Sequence, residues 1–164
     1  MKIRYPIARS QGRSKFARAA LLSLAWIAVA RGANAAPTIS QGFYQEGSLV
    51  TCASNANSCS LPYTAIPAGK TLIVQHISCT MQIGGNQTPA SISVRSLANG
   101  IQKNLNFLTA TQVGATVNGV RTFHLNDPAQ LVILAGEQPQ VFTQIATPTS
   151  PYTVRCFVSG QLLP

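Results

Sequence analysis

The chain has 164 residues and a formal net charge of +9, from 12 Lys and Arg against three Asp and Glu. Seven of the cations lie at or before Arg31, so the stretch 37–164 carries only five basic and three acidic side chains, a net of +2. That distribution excludes a nucleic-acid-binding protein, because neutralising phosphates needs clustered cations and Lys70, Arg95, Lys103, Arg121 and Arg155 are scattered.

The N-terminal segment 1–36 reads as a signal peptide. A basic stretch ends at Arg18, an apolar run follows from Ala19 to Ala30, and the small residues Ala33-Asn34-Ala35-Ala36 stand before Pro37. This is the order n-region, h-region, cleavage site. A helix of that run is about 18 Å long, short of the roughly 30 Å hydrocarbon core, although Arg31 and the long basic region are the features an uncleaved anchor would share. Residues 1–36 are therefore expected to leave, and 37–164 to form one domain in the periplasm or outside the cell, without membrane attachment.

Residues 37–164 hold nine Pro and ten Gly, spread so evenly that they leave no long uninterrupted run between them. Alternating apolar and polar residues rich in Val, Ile and Thr dominate, which predicts strands. In chain order these are Leu49–Cys52, Thr71–Ile83, Ser91–Ala98, Ile101–Thr109, Gln112–Val117, Val120–Leu125, Leu131–Leu134, Val141–Ala146 and Thr153–Leu162. Asn99-Gly100 and Asn118-Gly119 fit two-residue hairpin turns, since Asn and Gly tolerate positive φ. Around the first, Ala98 is expected opposite Ile101, Val94 opposite Leu105 and Ile92 opposite Phe107. The other face then gathers Ser93, Arg95, Gln102, Asn104 and Asn106. The second turn sets Val117 against Val120, Ala115 against Thr122 and Gly114 against Phe123. The fold class is all-β, an antiparallel sandwich of jelly-roll type with an immunoglobulin-like topology as the alternative.

Four cysteines in an exported chain point to disulfides. Close spacing favours Cys52–Cys59, which leaves Cys79–Cys156. Period two puts Cys79 on one face with Ile73, Ile77, Met81 and Ile83, and Cys156 with Val154 and Val158, so both thiols face the apolar side. A zinc site is disfavoured because no C-x2-C pair occurs.

The stretch Ile66-Pro67-Ala68-Gly69-Lys70-Thr71-Leu72-Ile73-Val74-Gln75-His76-Ile77-Ser78 and the closing Cys156-Phe157-Val158-Ser159-Gly160-Gln161-Leu162-Leu163 resemble strands of small, uncharacterised exported bacterial β-sandwich proteins. The resemblance implies a fold and an exported location, and carries no catalytic residues. Fimbrial subunits are similar in being exported, disulfide-bonded sandwiches that donate a strand. This chain ends Leu162-Leu163-Pro164, without the penultimate aromatic of those subunits, and Pro37–Phe43 alternates poorly.

Catalytic chemistry has few groups to work with. His124 and Asp127, with His76 as a third group, would have to meet to make a small hydrolase or a metal-dependent enzyme. Each acid has a plain structural role: Asp127 before Pro128, Glu137 after Gly136 and Glu46 before Gly47 all read as turn residues. No G-x-S-x-G, P-loop or dinucleotide fingerprint occurs, and no cofactor is indicated. A binding role needs less. Ser, Thr, Asn and Gln make up more than a third of the stretch 37–164. Tyr44, Tyr63 and Tyr152 are candidate sugar platforms, and Ser93, Arg95, Gln102, Asn104 and Asn106 the candidate ligand face. The sequence thus reads as a non-enzymatic binding or structural protein with a ligand or protein partner, the enzyme and a self-assembling, homo-oligomeric surface subunit being the alternatives. N-terminal sequencing of the exported protein is expected to begin at Ala36 or Pro37; an intact Met1 would refute cleavage.

Overall fold

The computed structural model describes residues 33–164. The basic and apolar parts of the expected signal peptide lie outside the described residues. Eleven strands follow one another: β1 (Ala33–Asn34), β2 (Thr38–Ser40), β3 (Phe43–Cys52), β4 (Ser58–Pro62), β5 (Thr71–Gly84), β6 (Pro89–Ala98), β7 (Ile101–Leu108), β8 (Thr111–Val117), β9 (Val120–Ile133), β10 (Gln138–Ile145) and β11 (Tyr152–Leu163). They form two antiparallel sheets. The larger runs β1-β3-β11-β5-β9-β8, with β2 also on β3, and the smaller runs β4-β10-β6-β7. Among the described residues no helix is long and apolar enough to cross a membrane.

The sheets pack as a sandwich because each presents one apolar face. Leu72, Val74, Ile77, Met81 and Ile83 of β5 meet Val94 of β6 and Val141 and Ile145 of β10, all buried. Burial on this scale, about 25 cal/mol per Å² of apolar surface, is the main force holding the layers together.

Bulges correct several expected registers. On β5, Val74 and His76 are separated by a register shift towards both β9 and β11. The extra residue, Gln75, changes the parity of the strand. Leu72 and Val74 therefore join Ile77 inside, and Ile73 turns outward instead of sharing the Cys79 face. Gly160 lies across from this bulge. A Cβ there would sit 2.0 Å from the Ile73 carbonyl oxygen, so the close approach requires glycine.

Both Asn-Gly turns form, with positive φ at all four positions. In the first hairpin Ala98 pairs with Ile101 and Leu97 with Gln102, as expected. A bulge between Ser96 and Leu97 then moves the rest by one, to Ser96↔Asn104, Arg95↔Leu105, Val94↔Asn106, Ser93↔Phe107 and Ile92↔Leu108. In the second, Val117 pairs with Val120, but Val113 faces Thr122 and Gln112 faces Phe123 after an irregularity.

The two expected disulfides are present. Cys79 and Cys156 are direct cross-strand neighbours in the large sheet, with Cα atoms 4.1 Å apart, and both are buried. Cys52–Cys59 joins β3 to β4, and hence one sheet to the other. Closing the long loop restricts the unfolded chain more, by about 4.5 kcal/mol against about 2.5 for the short one. Replacing Cys79 and Cys156 together by Ala is thus expected to lower the urea unfolding free energy by about 2 kcal/mol more than replacing Cys52 and Cys59; equal losses would show that the loop argument fails here.

Candidate functional site on the outer face of the small sheet

The sheet formed by β4, β10, β6 and β7 turns Val94, Ser96, Val141, Thr143 and Ile145 inward, so period two sends the intervening residues out. Cross-strand register assembles them into rows. Phe142, Ser93 and Phe107 are successive partners across β10, β6 and β7, and Gln140, Arg95 and Leu105 form the next row. The Arg95 guanidinium carbon lies 4.1 Å from the centroid of the Phe142 ring. Its Nε donates to Gln140 Oε1 at 2.7 Å, which fixes the planar cation over the ring. Burial against this ring lowers the Arg95 pKa, and the group remains a cation. Phe107 is 69% exposed and leaves an apolar ring face open beside these donors and acceptors.

The five residues expected to share a ligand face are divided between two faces. Ser93, Arg95 and Gln102 belong to the outer one, Ser93 buried beneath its neighbours and Gln102 exposed. The bulge gives Asn104 and Asn106 the parity of Leu108, towards the other sheet. Asn104 is a tie between layers: its Nδ2 donates to the Val132 carbonyl of β9 at 3.0 Å. Phe107, Phe142 and Gln140 are site residues that sequence reasoning misses. Phe142 and Gln140 are legible as the outward partners of Val141, Thr143 and Ile145. Phe107 is hidden by the register shift.

The candidate sugar platforms are not at the surface. Tyr44, Tyr63 and Tyr152 are each 1% exposed. Glu46, expected in a turn, is an inward residue of β3 and 2% exposed. A buried carboxylate is costly unless its lone pairs are met. Thr64 N–H reaches both carboxylate oxygens at 3.0 Å, Thr64 Oγ1 donates at 3.0 Å, and the Tyr44 hydroxyl donates to Oε2. Asp127 is not in a turn either. It lies within the continuous strand β9, where its Oδ2 accepts Thr109 N–H at 2.7 Å. Pro128 is tolerated there because it faces the β5 bulge, beyond the stretch that β8 pairs. Glu137 keeps its expected turn, accepting Leu134 N–H at 3.2 Å.

The enzyme constellation does not assemble. His76 Nε2 and Asn126 Oδ1 are 2.7 Å apart on the outer side of the large sheet, and His124, opposite Thr80, points the same way. Asp127 has the opposite parity and is held by Thr109. Among the described residues no group of three His, Cys, Asp or Glu is placed to hold a metal. The chain matches no protein-family model, and no curated protein is similar to it.

Desolvation raises the Tyr44 and Tyr63 hydroxyls far above their ordinary value, and Glu46 pushes both the same way. Burial also raises Tyr152, opposed by the Thr143 hydroxyl. A phenol whose pKa is raised by folding contributes stability that is complete below about pH 10 and is lost above it, because the unfolded chain ionises first. Stability is expected to fall above about pH 10 by at most about 1.4 kcal/mol per pH unit for each phenol. In a spectrophotometric titration of residues 37–164, whose tyrosines are these three, phenolate absorbance should rise together with loss of the β-sheet circular dichroism signal. Ionisation of the folded domain near pH 10 would contradict the burial.

Proposed function

We propose that the protein is an exported, non-enzymatic binding protein of the periplasm or cell exterior, and that the outer face of its small sheet holds a glycan. The observation that carries this reading is the row Phe107–Ser93–Phe142 beside Arg95 and Gln140: an open aromatic face next to fixed hydrogen-bonding groups. Sugar rings have apolar C–H faces and hydroxyl rims, and a surface of this composition meets both. Export is supported by the small-residue motif before Pro37 and by two disulfides. The strand orders β3-β11-β5-β9 and β4-β10-β6-β7, with the chain passing repeatedly from one sheet to the other, favour a jelly roll, β8 being an added edge strand. The same features suit membership among the small exported bacterial sandwiches that its strands resemble.

A second reading, self-assembly, is favoured by β8. This edge strand is exposed throughout and carries no charged residue in Thr111–Val117, so nothing electrostatic opposes pairing with another copy.

The exported protein is expected to bind a restricted set of glycans on an array, and Phe107→Ala should weaken that binding about tenfold or more while leaving the circular dichroism spectrum unchanged. Array binding that survives both Phe107→Ala and Arg95→Ala would place the site elsewhere. No glycan binding together with concentration-dependent oligomers in light scattering would favour the second reading.

A further inference from the structure

The two sheets part at the corner opposite the Cys52–Cys59 bond. Thr88 and the first residues of β6 (89–92), residues 108–110 at the end of β7, and Phe123 of β9 line an open cavity of about 440 Å³ there. Its lining combines the apolar residues Pro89, Ile92, Leu108, Ala110 and Phe123 with the hydroxyl residues Thr88, Ser91 and Thr109, and its size is that of a small-molecule site.

One cation stands at its margin. The Arg121 guanidinium carbon is 5.8 Å from the centroid of the Phe123 ring. Its Nη2 donates to the carbonyl of Gln87, the residue before Thr88 of the cavity wall. Its Nε is buried and has no hydrogen-bond partner. Within the domain, Glu46 is committed to Thr64 and Tyr44, and Glu137 to Leu134. Asp127 is held by Thr109, at the other end of the cavity and six residues further along β9. Six residues of strand span about 20 Å, so the Asp127 carboxylate makes no ion pair with Arg121. The cavity therefore joins a mixed apolar and hydroxyl lining to a cation near Phe123, at the end away from Asp127.

We infer that this cavity is a binding site for an amphiphilic carboxylate, an aliphatic or aryl acid whose apolar body lies against Ile92, Leu108 and Phe123 and whose carboxylate meets Arg121. The planar guanidinium donates in a fork that matches a carboxylate's two oxygens. The site is separate from the outer face of the small sheet and does not depend on glycan binding.

The test uses octanoate, octanol and octylammonium, kept below micelle formation, titrated into the ¹⁵N-labelled exported protein with both disulfides intact. Octanoate should give saturable amide shifts confined to residues 87–92, 108–110 and 121–123. Octanol should bind about tenfold more weakly, octylammonium more weakly still, and Arg121→Gln should abolish the preference for octanoate over octanol. Phe107→Ala should leave octanoate binding unchanged, which separates this site from the proposed glycan surface. Absence of saturable shifts, shifts confined elsewhere, or equal affinity for octanoate and octanol would overturn the assignment. So would an Arg121→Gln variant that keeps the native spectrum and the preference. If that variant does not fold, the comparison of octanoate with octanol in the unaltered protein decides.

Discussion

The Cys52–Cys59 disulfide and the hydrogen bonds from Thr64 to Glu46 cross between the sheets along the same edge, one towards each end of it, where β3 of the large sheet lies over β4 and the segment after it. One tie is covalent. The other is a carboxylate whose lone pairs are met by neighbouring donors. Together they hold one edge of the sandwich closed and let β4, a short edge strand, keep its place. Along the far edge, β9 faces β7 with single hydrogen bonds in place of a bond of that strength: Asn104 to Val132, and Thr109 to Asp127. The layers part beyond the Thr109–Asp127 tie, and the cavity beside Phe123 occupies the gap. Clamped at one side and open at the other, the sandwich can keep a cavity without losing its dry interior.

The scarcity of acids shapes the surface as much as the interior. All three carboxylates of the domain accept backbone N–H groups: Glu46 from Thr64, Asp127 from Thr109 and Glu137 from Leu134. They stabilise chain geometry and leave the arginines to other partners. Each of the domain's three arginines lies over a phenylalanine: Arg95 over Phe142, Arg121 over Phe123 and Arg155 over Phe157. A net charge of +2 for 37–164 thus understates how positive the outward surface is. Such stacking contributes roughly 0.5–1 kcal/mol at exposed positions, and it leaves guanidinium edges available to acceptors from outside.

The sandwich, the pairing of the cysteines and the two Asn-Gly turns are legible in the sequence because each depends on short-range chemistry: alternation, spacing and tolerated φ. What stays concealed depends on a single added residue. Gln75 reverses the facing of Leu72, Ile73 and Val74, and the bulge beside Leu97 exchanges Asn104 and Asn106 for Leu105 and Phe107 on the outer face. Nothing in the residue types announces a bulge, since its cost and its benefit are set by strands remote in sequence. Glu46 is concealed in another way. In Tyr44-Gln45-Glu46-Gly47-Ser48 a charged residue before glycine reads as a turn, yet the inward series Tyr44, Glu46, Ser48, Val50 and Cys52 is a regular strand face. Thr64, beyond β4 on the side of the opposite sheet, together with the Tyr44 hydroxyl makes that position tolerable for a carboxylate.

The candidate site follows from the same register shift. Had β6 and β7 paired without the bulge, Phe107 would face inward opposite Ile92, and the outer face would be a row of amides and hydroxyls like the solvated side of many antiparallel sheets. With the bulge, Phe107 faces solvent, and Asn104 turns inward to bond β9. A large aromatic turned to water forgoes the stabilisation that burying it would supply, about 1.5–3 kcal/mol for a side chain of this kind. The fold tolerates this because Leu108, one residue later, fills the inward position opposite Ile92. The exchange closes the core with leucine and leaves the phenylalanine free beside Arg95 and Gln140, and the proposed binding surface rests on that pairing of an open ring with fixed polar groups.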